Sequence, residues 1–412
     1  MLKFLTLYLE SVQMKIEDQD LENLRKFVEK KFGKEISNHS DCLALEAELK
    51  LLNKTINPQT IRRFFGHIKY NGGFSEYTKD VFAFYVGYPT FSAFKKSVSE
   101  NEISSFFKNE NQEFSSTDFW LASEDLCKRM MDSPSLLAKT HHQVIQYPSA
   151  CEFFVEHHPM RDLSCTVYAQ YFHEYLKYKN TTEAKLFAYG FLFMGAFLSE
   201  NEILMELYHS KIAETQLSPE VYLLPAGRKY GVQLLYTWLK NDDEAFQKSY
   251  QEMLSARKDY IKASEKSVCS FEYAVLEHLI FTNKTEEMQF LIENNTAQKY
   301  KDREFVPQDR KENHDEVWKI LCAVAYFKMG NNSQCQYYLN SVDIKKLAVG
   351  WVKYYSILFY FILAQFANTN DKKTILNKIY HLISETHFTY YQQYINSTDD
   401  YSLHNSNTEV IL

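Results

Sequence analysis

Between Asn57 and Gly66 the chain reads Asn-Pro-Gln-Thr-Ile-Arg-Arg-Phe-Phe-Gly. On a helix starting at Pro58, Gln59, Arg62 and Arg63 stand at i, i+3 and i+4 and share one face, while Ile61, Phe64, Phe65 and Ile68 take the opposite, apolar one. An amide that can pair bidentately with adenine, beside guanidinium groups that can pair with guanine, is chemistry for reading base edges in a major groove. Thr60 sits in the first turn of the same helix and Lys69 follows it. From Leu49 to Lys69 the cations Lys50, Lys54, Arg62, Arg63 and Lys69 meet no acidic residue, which suits contact with phosphates. Gln59, Thr60, Arg62, Arg63 and Lys69 are therefore the expected DNA-binding residues.

Other reactive residue types lack a pattern that would give them a task. His141-His142 and His157-His158 lie near Cys151 and Cys165, but zinc-finger spacing is missing, so these are expected to be ordinary helix surface or core and no metal is expected. His173-Glu174 lacks the second His of a zinc-protease helix. Arg310 and His314 have three residues between them, fewer than in the helical ribonucleases that pair Arg with His. There is no Gly-x-Ser-x-Gly elbow, and no Gly-rich dinucleotide or P-loop motif. The sequence thus predicts no catalytic residue, no cofactor and no enzyme. The 7 Cys are an odd number with no C-x-x-C, which suits reduced thiols and a cytoplasmic location.

The elements that must hold the basic face are short and well punctuated. A helix is predicted at Cys42–Leu52, with Leu45, Leu49 and Leu52 on one face. Asn57 suits an N-cap and Pro58 the first helical turn. Gly66 suits the position just past a helix end. A loop with Asn71-Gly72-Gly73 leads to a helix from about Glu76 to Val86, stopped at Gly87, and Thr90 caps a last short helix with Phe91 and Phe94. Upstream, Met1–Leu9 reads as helical, and Leu21, Leu24, Phe27, Val28 and Phe32 have helical spacing with Gly33 as C-cap. Two helices joined by a turn, the second basic and opening with short polar residues, describe a helix-turn-helix.

Residues Ile56–Gly66, Tyr77–Tyr88 and Phe91–Phe94 resemble an N-terminal module of many bacterial proteins, itself similar to the lambda-repressor-like helix-turn-helix. The resemblance covers about residues 41–98 and implies sequence-specific DNA binding. Lys79, Phe91 and Asn57 stand where that module usually has Leu, Trp and Ser. Lys79 puts a charge on an apolar position.

The rest of the chain has another character. Gly and Pro together supply 19 of 412 residues, far below the roughly 12% of ordinary proteins, so tight turns are few and all-β folds are disfavoured. Seven of the 19 fall between Gly33 and Pro89, which marks a domain boundary near residue 100. Polar turns recur at Ser199-Glu200-Asn201, Lys240-Asn241-Asp242, Thr282-Asn283-Lys284 and Gly330-Asn331-Asn332, with Asn-to-Asn spacings of 40, 42 and 48 residues. Each follows an apolar, aromatic helical pattern and precedes a more amphipathic one, a rhythm of stacked helical hairpins. Val317–Val342 resembles a tetratricopeptide unit most closely. The densely aromatic stretch Trp351 to Phe361 is expected to be a buried helix. Leu186–Leu198, broken by Gly190 and Gly195, is too short for a membrane span.

The expected fold is all-α. An N-terminal domain, residues 1–99, contains the helix-turn-helix. A polar linker at 100–116 follows, then a tetratricopeptide-like α-solenoid at 117–395 with a charged loop at 302–315, and a disordered tail at 396–412. Residues 1–100 carry a net charge of +2 and the remainder −9, so any polyanion would be met by the N-terminal domain. The whole resembles bacterial regulators that join such a module to tetratricopeptide repeats and sense peptides. The expected function is a transcriptional regulator that binds double-stranded DNA as a homodimer and holds a peptide or protein on its array. The alternative is a protein- or peptide-binding scaffold whose helix-turn-helix is structural only.

Overall fold

The computed structural model describes residues 20–70, 72–95, 116–130, 134–218, 221–265, 267–297 and 308–399. The predicted helix at Met1–Leu9, Asn71, the linker apart from Ser116, residues 302–307 of the charged loop and the tail beyond Asp399 lie outside them. The chain divides into two compact units, Met1–Lys108 and Asn109–Leu412. Among the described residues every regular element is helical.

The described residues of the first unit form five helices: α1 (residues 20–32), α2 (His39–Leu51), α3 (Pro58–Phe64), α4 (Glu76–Tyr85) and α5 (residues 91–95). Asn38 and Asp41 form a reciprocal capping box that starts α2. The chain leaves α2 through Asn53, held at φ 57°. There the amides of Asn53 and Lys54 bond back to the carbonyls of Lys50 and Leu49, the two bonds of a Schellman motif. Leu52 is thus the C-cap and 40% exposed, so the predicted face of Leu45, Leu49 and Leu52 stops at Leu49. Leu24, Val28, Leu45, Leu49, Ile61, Phe64, Phe82 and Phe94 fill the core. Phe64 stacks on Phe82 with ring centroids 4.2 Å apart. Lys79, the charge at an apolar position, is only 6% exposed. Its stem is buried, and its ammonium reaches Glu76 at 2.5 Å and stands over the Phe91 ring, as a long cationic side chain can.

The second unit opens with α6 (Ser116–Met130) and α7 (Pro134–Val144). An irregular segment follows: α8 (Pro148–Ala150), a π-helical turn at Cys151–Glu156, 3-10 turns at Arg161–Leu163 and Val167–Ala169, and then α9 (Gln170–Tyr178). Five consecutive hairpins come next: α10 (Thr182–Leu198) with α11 (Glu202–Glu214), α12 (Leu223–Leu239) with α13 (Asp243–Glu265), α14 (Phe271–Leu279) with α15 (Thr285–Glu293), α16 (Gln308–Lys328) with α17 (Asn332–Asn340), and α18 (Val352–Phe366) with α19 (Thr369–Thr386). A last helix, α20, is Gln392–Asp399. It corrects the tail expected from 396, since residues 396–399 complete its final turn. The charged loop is corrected too: residues 308–315 are the opening turns of α16.

The four predicted turns join the first four hairpins, and three share one wiring. Glu200, Asn241 and Gly330 take φ of 55°, 54° and 72°. The next residues, Asn201, Asp242 and Asn331, bond back to the carbonyls of Ala196, Thr237 and Tyr326. Their side chains then accept from the amides of Leu204, Ala245 and Gln334. One residue thus closes a helix and caps the next. The third turn differs: Asn283 accepts from the Trp238 indole at 2.7 Å.

Asp162 ties the irregular segment to the fifth hairpin. Its carboxylate accepts from the amides of Lys353 (3.1 Å) and Tyr354 (2.8 Å) at the start of α18, and its own amide donates to Gly350. Burial raises this carboxyl to about 6, and the two amides resist the shift. Asp162→Ala strands both amides and is expected to lower stability by about 1–3 kcal/mol, measured by urea denaturation.

Burial also holds the imidazoles of His141 at about 3 and of His158 and His278 at about 4, and keeps His314 well below its usual value. As pH falls through 6.5 the unfolded chain takes up protons that the folded chain refuses at these four and also at His157 and His209, which burial holds at about 2 and about 4, so stability drops. Asp162 works in the opposite sense, because the folded state gains its proton first. Six histidines against one carboxyl, at about 1.4 kcal/mol per pH unit for each net proton, predict a urea midpoint that falls steadily between pH 6.5 and pH 4.5.

Candidate functional site

The basic helix α3 is held from both ends. Asn57 accepts from the Gln59 amide at 2.8 Å, and Gly66, at φ 77°, closes the far end. From α1, Arg25 donates to the Phe64 carbonyl and stands over the Phe64 ring. Ile61 and Phe64 are fully buried, so the opposite face must point outwards. Gln59, Arg63 and Lys69 are exposed, and Thr60 and Arg62 are half-buried. Gln59, Thr60, Arg62 and Arg63 lie on one two-turn helix, while Lys69 lies in the coil beyond it. Arg63 rests over Tyr70, and Lys54 over Phe84. Lys50 pairs with Glu46 at 2.8 Å, outside the acid-free stretch. Among the described residues neither arginine of α3 is paired with a carboxylate.

A second site, in the second unit, was not foreseen. A cavity of about 700 Å³ opens where the irregular segment meets the first helices of the hairpins. Phe187 and Phe191 of α10 form one wall, Arg228 comes from α12, Tyr273 and Glu277 from α14, and Arg310 and His314 from α16. The irregular segment supplies His157 and Arg161, and Trp120 and Trp351 complete the aromatic lining. Lys179, Glu152, Glu156 and Glu183 line it as well.

The charges in this cavity are met unequally. Arg161 grips Glu277 through two guanidinium nitrogens at 2.8 and 3.2 Å and stacks on Trp351 and Phe191. Tyr355 donates to the same carboxylate. Burial pushes the Glu277 carboxyl up, and the charges of Arg161 and Arg228 more than reverse this. Lys179 reaches Glu156 at 2.5 Å, as does the Tyr175 hydroxyl. Arg310 donates to the His157 carbonyl at 2.8 Å and stacks on Trp120. Arg228 has no hydrogen-bond acceptor among the described residues. It stands over Phe191 at 4.5 Å and Phe187 at 5.7 Å.

Several polar atoms around the cavity are buried without a partner among the described residues: Nδ1 of His157, Nε of Arg161 and Nε2 of His314. Arg310 and His314, which sequence spacing set aside, share one face of α16 and both line the cavity. The visible sequence signal was glycine in a glycine-poor region. A methyl group at Gly190 would strike the Arg228 side chain, and one at Gly231 would strike His278. Such glycines inside helices mark close approach.

His141 packs against Phe154 and Tyr168 with ring centroids 3.9 and 4.9 Å away, and His158 packs against Trp120 with the rings tilted by 52°. Among the described residues no group of three or more His, Cys, Asp or Glu is placed to hold a metal ion, and no helix is long and apolar enough to cross a membrane. No family model, curated protein or solved structure matches the chain.

Proposed function

We propose that the chain is a DNA-binding transcriptional regulator, with α2 and α3 as its helix-turn-helix and the five hairpins as a tetratricopeptide-like sensing array. One observation carries this reading: a rigidly held helix turns Gln59, Arg62 and Arg63 outwards with no carboxylate to neutralise them. A helix that only supported its neighbours would gain nothing from adjacent unpaired arginines. Base edges and phosphates satisfy both arginines and the amide together. Since a two-turn helix spans few base pairs, a dimer on two half-sites is part of the proposal. The cavity is then the sensing site of the array.

The test is selection of duplexes from a random pool with the full-length protein, then anisotropy titration on the enriched sequence. Arg62→Ala and Arg63→Ala should each weaken binding about tenfold and lower the slope of log affinity against log salt by about one. No enriched sequence, or equal binding by wild type and both variants, favours a peptide- or protein-binding scaffold instead.

A further inference from the structure

Other buried and half-buried cations of the second unit are satisfied from within it. Arg161 has Glu277, and Arg257 has Glu272. Lys229 donates to the carbonyls of Ile212 at 2.9 Å and Thr215 at 2.7 Å, closing the end of α11. Lys328 donates to the Thr282 carbonyl at 2.8 Å. Arg228 is the exception. It is 7% exposed, lines the cavity and has no acceptor among the described residues. The carboxylate nearest in effect, Glu277, is already bound by Arg161 and Tyr355. Arg161 and Arg228 therefore share one carboxylate, which leaves the Arg228 guanidinium unmet in an aromatic enclosure. An uncompensated buried charge is costly, and this one is built in, because Gly190 gives up its side chain to let Arg228 lie against α10.

We infer that the cavity takes a small organic anion, its carboxylate paired with the Arg228 guanidinium and its apolar body against Phe187, Phe191 and Trp351. A planar guanidinium fork presents two parallel donors to a carboxylate. A volume of about 700 Å³ is within the range of small-molecule sites. One free guanidinium fork set among phenyl rings suits a carboxylate monoanion better than a phosphate dianion. Glu183 lies one helical turn before Phe187, roughly 6 Å along α10, and Glu152 and Glu156 line the cavity with it. That acidic end repels a second negative group and sets the direction of the ligand, charged end at Arg228. The inference rests on reading the cavity as the sensing site, but its test uses no DNA, so either can fail without the other.

The test is calorimetric titration of the full-length protein with phenylbutanoate, indolepropanoate and decanoate, each beside its primary amide, and with inorganic phosphate. At least one carboxylate is expected to bind one-to-one and about tenfold or more tighter than its amide, with no binding of phosphate. Arg228→Met should reduce that carboxylate to the affinity of its amide. Without ligand, Arg228→Met should hold or raise the melting temperature, since an unmet charge is removed. Gly190→Ala, which keeps the charge but displaces the side chain, should also lose the preference for carboxylate. The inference is overturned if no carboxylate binds, if amides bind as tightly, if phosphate binds instead, or if Arg228→Met lowers the melting temperature of the unliganded protein by more than a few degrees.

Discussion

Two adjacent charges, Arg161 and Asp162, are buried where the irregular segment meets the hairpins, and the arrangement of the second unit follows from how each is met. Arg161 reaches Glu277 on α14, and Asp162 reaches the first amides of α18. Neither partner is near in sequence, so the segment can satisfy its charges only by lying across the hairpins. Trp351 adds a third tie by donating to the Pro159 carbonyl at 2.8 Å. The π-helical turn just before, closed by the bond from the His157 amide to the Glu152 carbonyl, bends the chain into this path. The gap between the segment and the helices beneath it is the cavity.

A buried ion pair of this kind is a poor source of net stability, because desolvation of both ions roughly cancels their attraction. Its consequence is positional. Once Glu277 is committed to Arg161, it cannot also neutralise Arg228, and burial together with the Arg161 charge pulls that guanidinium down to about 10. Arg228 nevertheless remains charged at neutral pH. The aromatic rings offset part of the cost, for Phe191 lies within 5 Å of both guanidinium carbons. A ring quadrupole is weaker than a carboxylate, so the Arg228 charge stays unmet at its end of the cavity.

What could be read from the sequence is what short-range rules control. The caps at Asn57 and Thr90, the stops at Gly66 and Gly87, and the hairpin turns all depend on a few neighbouring residues, and the structure places each where the sequence does. The fifth hairpin escaped notice because its turn, Ala367-Asn368, is so brief. Its first helix was expected only as an aromatic, buried stretch, which it is at Trp351, Tyr354, Tyr355 and Phe361. The cavity escaped for a deeper reason: its residues come from positions 120 to 351, and no local pattern links them. Arg310 and His314 were set aside on their spacing, and residues 308–315 are so charged that they read as loop. In the helix, one face of that run turns to solvent at Asp315, while Asn313, His314 and Glu316 are buried.

The scarcity of glycine takes on a sharper meaning in this light. In the second unit the left-handed positions fall to Glu200, Asn241 and His387 as well as Gly330 and Gly350. A residue with a side chain is strained there by about 1 kcal/mol, and at Glu200 and Asn241 the paired bonds that end one helix, together with the cap that starts the next, offset the strain. The glycines inside the helices of this unit serve packing instead. Gly195 admits the Ser164 carbonyl of the irregular segment, Gly227 admits the Phe271 carbonyl of α14, and Gly190 admits Arg228. All three are contacts from which the cavity is assembled. Replacing a turn residue would disturb one hairpin, whereas filling one of these helical glycines would push apart the elements that define the cavity and its charge.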